Sequence, residues 1–273
     1  MARETSTPRW RPVAWAVLAT TALAAGTLSA RRGAAPDRID SPTGDAKAAT
    51  LRGPQLAAFD LVQTTVRRVG TRLVFTEQLA AAAGTTRPTA SGTLAGSSVY
   101  SYVWPTSLDP SAVGFAEKTG TLALAATSHP DFDDTPKYDE NGDGDPANDG
   151  TLWHSHWVVL TKDDVCGPGA LKVRDIPAGT TPKLPATWPG LPLFIDSPGY
   201  EPQLSGRTIR VDVPLKDVGF PTSFAFDGVT AALRVNASVH DPLLCVVDVF
   251  DIASRTLTLP GKVTVSSAPK ANP

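Results

Sequence analysis

The chain has 273 residues, 41% hydrophobic and 19% charged, with 25 basic against 27 acidic residues and a net charge of −2. That length admits one large β domain or two small ones with a real core, and the balance excludes the basic surplus expected of a nucleic-acid binder. The balance is uneven along the chain. Residues 131 to 149 hold eight carboxylates and one lysine, which leaves 24 basic against 19 acidic residues elsewhere.

At the N-terminus, Arg3, Arg9 and Arg11 precede an apolar run from Val13 to Leu28. The run is long for a secretory leader and short for a comfortable transmembrane helix, and small residues at Ala24-Ala25-Gly26 or near Ala30 offer cleavage points. Residues 1–30 are expected to be a signal peptide or, if uncleaved, an N-terminal membrane anchor. No cysteine follows the run, so a bacterial lipoprotein anchor is excluded. The expected location is secreted, periplasmic or cell-surface, with the membrane touched only through this segment. Residues 31–53 are rich in Ala, Arg, Gly, Pro and Asp without hydrophobic period and read as a disordered linker.

Residues 54–268 are expected to form a single all-β domain. Asp60 to Gln78 (DLVQTTVRRVGTRLVFTEQ) gives two extended runs joined at Gly70. Further strands are predicted over Ser98–Val103, Gly120–Thr127, Leu152–Thr161, Leu171–Val173 and Arg207–Pro214. Later ones are predicted over Ser223–Phe226, Ala231–His240, Leu243–Ile252 and Thr256–Val265. Short β-branched runs punctuated by Gly, Pro and Asp predict an antiparallel sandwich or barrel, and the sandwich is the expectation adopted. Residues 60 to 79 resemble the first hairpin of DOMON-like domains and of related carbohydrate-binding sandwiches. That resemblance implies a jelly-roll-like sandwich that binds haem or sugar.

Between strands, Ile176 to Pro202 carries seven prolines, at 177, 182, 185, 189, 192, 198 and 202. Each removes a ladder donor, so this segment is a rigid cover over one end of the domain or a loop beside a site. Trp188, Leu191, Leu193 and Phe194 favour packing down. Cys166 and Cys245 are the chain's two cysteines. In an exported protein they are expected to pair, closing a loop of about 80 residues worth roughly 4.5 kcal/mol on the chain-entropy model.

The acidic stretch suggests calcium. Asp139-x-Asn141-x-Asp143-Gly144 opens like an EF-hand loop, but the twelfth position is Gly150 rather than the bidentate Glu. The register Asn141-x-Asp143-x-Asp145-x-x-x-Asp149 resembles the calcium loops of β-hairpins in propeller proteins. Asp139, Asn141, Asp143, Asp145 and Asp149 are therefore the candidate calcium ligands, with Asp131, Asp133 and Asp134 available to complete this site or build another. The competing reading is a solvated acidic loop.

Directly after it, WHSHW places His154 and His156 on one face of a strand, with Leu152, Val158 and Leu160. Trp153, Ser155 and Trp157 lie on the other face. HSHW resembles the metal-binding strand of the α-carbonic anhydrases. Two imidazoles so placed can converge on zinc or copper, with His129 or His240 as third ligand and a bound water activated for hydrolysis or hydration. Alternatively both histidines sit at the sheet surface and hydrogen-bond to the acidic loop. Tyr100, Tyr102 and Trp104 also share a strand face, either as a platform for a sugar ring or as core. Asn236-Ala-Ser238 matches a glycosylation sequon, and there is no G-x-S-x-G elbow, phosphate loop or C-x-x-C pair.

Together these features predict an exported, calcium-stabilised β-sandwich serving as a binding or structural module, with a glycan as one candidate ligand. The alternative is a zinc- or copper-dependent enzyme built on the histidine pair and a third histidine.

Overall fold

The computed structural model describes residues 37–41, 51, 53–89, 95–129, 139–140, 142–146, 149, 152–235 and 243–264. The expected leader, most of the expected linker, the sequon and His240 lie outside the described residues. Regular structure is almost entirely β. The first strands are β1 (Arg38–Asp40), β2 (Leu61–Val69), β3 (Arg72–Leu79), β4 (Ser98–Pro105) and β5 (Thr121–Ser128). They are followed by β6 (His154–Lys162), β7 (Leu171–Val173), β8 (Ile195–Asp196), β9 (Gln203–Ser205) and β10 (Thr208–Pro214). The last are β11 (Ser223–Phe226), β12 (Val229–Val235), β13 (Leu244–Ile252) and β14 (Gly261–Thr264). No helix among the described residues is long and apolar enough to cross a membrane.

All recorded strand pairs are antiparallel. β2 and β3 form the predicted hairpin, with Val69 opposite Arg72 and Gly70 at φ 60°. A two-residue turn needs positive φ at that position, which glycine supplies at no steric cost. This hairpin is the centre of a five-stranded sheet in the order β1-β2-β3-β10-β9. β1 lies inside the stretch read as a linker, so for residues 38–40 that reading is corrected: Ile39 is buried and its strand pairs with β2.

The second sheet departs from the expected sandwich. It runs β5-β4-β12-β13-β7-β6-β8, and β5 also pairs with β6 along Thr121 to Thr127. That pairing uses the second edge of β5 and closes a six-stranded barrel, from which β8 extends. Closure removes the exposed edges that an open sheet must otherwise protect. Strand alternation splits the core in two. Ala123, Ala125, Val158, Leu160, Val173 and Val229 belong to one cluster, with residues of β4, β7 and β12 contributing around the ring. Leu122, Leu124, Trp157 and Val159 belong to the other, with Phe75, Val211 and Val213 of the five-stranded sheet. The five-stranded sheet therefore packs on one outer side of the barrel.

Tyr102 and Trp104 lie in this second cluster, fully buried, and Tyr100 packs against it. Tyr102 stacks on Phe59 and its hydroxyl donates to the Ala58 carbonyl at 2.9 Å. Of the two readings of this face, core is the one Tyr102 and Trp104 take: no ring can lie on side chains that solvent does not reach, and half-buried Tyr100 packs against the same cluster. Cys166 and Cys245 form the expected disulfide, with Cα atoms 5.5 Å apart.

Candidate metal centre

The end of β5 and the start of β6 are neighbours in the barrel, with Thr127 opposite His154 and Ala125 opposite His156. On β6 the alternation is as read from the sequence. His154 and His156 share the side of Val158 and Leu160, while Trp157 faces the other cluster. His129 follows β5 by one residue and is carried to the same place. The histidines do not sit at a sheet surface. His154 is 0% exposed and His156 2%.

Glu140, on the acidic loop, completes the group. His154 Nε2 stands 3.1 Å from His129 Nε2, and Glu140 Oε2 stands 3.2 Å from His129 Nε2 and 3.3 Å from His154 Nε2. Glu140 Oε1 is 3.9 Å from His156 Nε2. One ligand atom from each of His129, Glu140, His154 and His156 lies within 4.8 Å of all the others, a group that can hold a metal ion. Among the described residues it is the only such group of His, Cys, Asp and Glu.

The electrostatics suit a cation. Burial drives His154 well below the usual histidine range and lowers His156 as well; Glu140 offsets this in part and the neighbouring imidazoles reinforce it. Neutral imidazoles are the ligating form. Burial also opposes ionisation of Glu140, but attraction to the histidines in their protonated form and the hydrogen bond from His129 outweigh it and hold the carboxyl well below the ordinary carboxylate range. His156 Nδ1 lies 3.2 Å from the Asp196 carbonyl, to which it can only donate, and 3.1 Å from Ser197 Oγ. A proton on Nδ1 leaves the Nε2 lone pair directed at the group, the arrangement outer ligands commonly impose on metal-binding histidines. The Pro-rich segment is therefore a loop beside the site, and it delivers Asp196 and Ser197 through β8.

The aspartates read as calcium ligands have local work in the loop. The Asp139 carboxylate accepts from the backbone N–H groups of Gly142, Asp143 and Gly144 at 2.7, 3.1 and 2.8 Å. Asp143 Oδ1 accepts from the N–H of Asp145. Buried Asp149 accepts from the N–H of Glu140 at 3.1 Å and so sets the backbone that aims Glu140. Asn141, Asp131, Asp133 and Asp134 lie outside the described residues. Glu140 itself was not among the expected ligands. It falls between positions 139 and 141 of the odd-numbered spacing, and only its place as an acid beside an H-x-H strand could have marked it. No protein-family model, curated protein or solved structure matches this chain.

Proposed function

We propose that this chain is a metal protein whose centre holds one zinc or copper ion through His129, His154, His156 and Glu140. The single observation carrying this reading is the spacing of the donor atoms. Four ligands at zinc bond lengths of about 2.0–2.1 Å stand at the corners of a tetrahedron with edges of about 3.3 Å. His129 Nε2, His154 Nε2 and Glu140 Oε2 stand 3.1, 3.2 and 3.3 Å apart, as one face of such a tetrahedron would; His156 Nε2 lies 3.9 Å from the other Glu140 oxygen, Oε1, and one donor atom from each of the four residues lies within 4.8 Å of the rest. Three imidazoles and a carboxylate suit zinc and copper, and the lack of sulfur disfavours softer ions.

Four protein ligands make a closed site, the pattern of a structural ion. The ion then ties the long acidic loop to the barrel, and the protein is an exported module stabilised by metal and disulfide. Calcium on the outer carboxylates of the loop would order the same segment and belongs to this reading. A second reading is a hydrolytic or hydrating metal enzyme. It is favoured by the exposure of Glu140 and His129, whose side chains are 14% and 12% accessible while His154 is sealed. Loop-borne Glu140 is then the ligand that water replaces.

Metal analysis of the purified protein tests the proposal. One equivalent of zinc or copper is expected in the native chain or after reconstitution, lost in His154→Ala. A protein that retains calcium alone, and takes up neither transition metal, overturns it. Glu140→Ala separates the two roles. Weakened metal retention supports a structural ion, whereas full retention with a change in ester hydrolysis supports a catalytic one.

A further inference from the structure

The tip of the β2–β3 hairpin and the turn that follows β10 form one end of the five-stranded sheet. Among the described residues only Val165 is a more exposed large apolar residue than Phe220 and Val69, which are 66% and 59% accessible. The two are neighbours in the fold. The Leu215 N–H donates to the Thr71 carbonyl in the hairpin turn, and the Phe220 N–H donates to the Leu215 carbonyl at 3.0 Å. Phe220 also has a φ of 51°, a region that bulky residues seldom occupy. A strained backbone thus holds a large aromatic side chain mostly in water, which points to a role outside the packing of the domain itself.

Basic residues accompany the pair. Residues 67–72 supply Arg67, Arg68 and Arg72, and residues 215–220 supply Lys216. Two acids stand among them: Asp37, 3.5 Å from Arg67 Nε, and Asp217, 4.0 Å from Lys216 Nζ. Four bases against two acids give this end a positive surplus, on a chain whose net charge is −2.

The path of the chain indicates what meets this end. β1 is antiparallel to β2, with Arg38 opposite Thr65, and the Val66 N–H donates to the Asp37 carbonyl. Followed toward the N-terminus, the strand at Asp37 is therefore directed at Arg67, Arg68 and the hairpin tip. From the level of Val66 to Gly70 is about 13 Å of strand. Eight residues separate Leu28, the last of the N-terminal apolar run, from Asp37. Fully extended they span at most about 30 Å, enough to pass the tip. An apolar run seated in a bilayer is thus tethered to the end of the domain that carries Phe220, Val69 and the surplus of base, and Arg31 and Arg32 lie on the tether.

A second copy of this chain docked through the same end would set bases against bases. An anionic bilayer suits both kinds of side chain: apolar groups enter its interface and bases meet its phosphates. We propose that this end of the domain rests on an anionic lipid surface, with Phe220 and Val69 in the interface and Arg67, Arg68, Arg72 and Lys216 at the headgroups. The N-terminal run, where it is retained, then holds the domain in this orientation rather than serving as its sole contact with the membrane.

The test places a fluorescent reporter at each end of β10 in the exported chain. Phe220→Trp puts an indole at the patch, and Ser205→Trp puts one at the far end, where β9 meets the start of β10. Each variant is mixed at low ionic strength with vesicles of phosphatidylcholine and brominated phosphatidylglycerol. Wild type sets the quenching of the protein's own tryptophans, so the comparison holds with residues 1–30 present or removed. Quenching beyond wild type is expected for Phe220→Trp and not for Ser205→Trp. Adding Arg72→Ala and Lys216→Ala to Phe220→Trp should weaken the docking about 25-fold, near fivefold for each charge, and high salt should weaken it too. No extra quenching at Phe220→Trp overturns the proposal and leaves the patch to a protein partner. Equal quenching at both positions overturns it as well, and so does quenching that the two alanines and high salt leave unchanged.

Discussion

Glu77, on β3, is 0% exposed, and among the described residues neither of its carboxylate oxygens has a hydrogen bond of normal geometry. Burial raises its pKa well above the ordinary 4.5; the Val229 backbone opposes this weakly, and repulsion from Asp251 and Asp227 adds to it. The unfolded chain releases this proton near pH 4.5 while the folded chain keeps it. The associated stability is complete below that pH and is lost as pH rises toward the raised folded value, at about 1.4 kcal/mol per pH unit. Glu77→Gln, which mimics the protonated acid, should therefore stabilise the protein at pH 7 and leave it nearly unchanged at pH 4. Urea melts at both pH values check this, and a loss of stability at pH 7 would refute it. At this scale the candidate site was half legible. Alternation alone put His154 and His156 on one face, because period two is local geometry. Glu140 was not legible, since its contact with the histidines depends on how a long loop folds back, and no spacing rule encodes that.

At the scale of elements, β7 and β11 fall on their predicted residues, and β2 to β6 begin and end within a few residues of theirs. Pro, Gly and Asp punctuation marks such boundaries. Among the described residues, the strand predicted over Thr256–Val265 begins only at Gly261, because Leu257 and Leu259 adopt φ of 53° and 51°, outside the β region. β1, β8 and β9 went unread; two or three residues carry no measurable alternation. One glycine shows how closely the closing pair is fitted. Gly120 precedes β5 at φ 148°, and a Cβ there would stand 2.5 Å from the Leu160 carbonyl oxygen and 2.8 Å from Val159 Cγ1. Those atoms belong to β6, whose pairing with β5 closes the barrel. Gly120→Ala should thus cost about 1–3 kcal/mol, the usual penalty for overpacking. A denaturant melt that shows no loss would mean that β5 and β6 can part at this end without consequence.

Closure of the barrel is a property of the whole molecule, set by pairings between strands far apart in sequence, and no local pattern distinguishes a closed ring from an open sandwich. The ring is not equally strong throughout. β5 and β6 share seven registered pairs, whereas β7 meets β13 through one, Cys245 opposite Lys172. The disulfide falls at this narrow seam, joining Cys245 of β13 to Cys166, which lies between β6 and β7. It spans 79 residues of sequence, for which the chain-entropy model gives about 4.5 kcal/mol. Reduction should then do more than lower the melting temperature uniformly. Hydrogen exchange after reduction should show protection lost first along β7 and the start of β13, while β5 and β6, and the histidines they carry, stay protected. If protection instead falls evenly across the barrel, the covalent link stabilises the fold only through the unfolded chain. If it is lost first at β5 and β6, the ring is closed more weakly at the metal centre than its strand pairing implies.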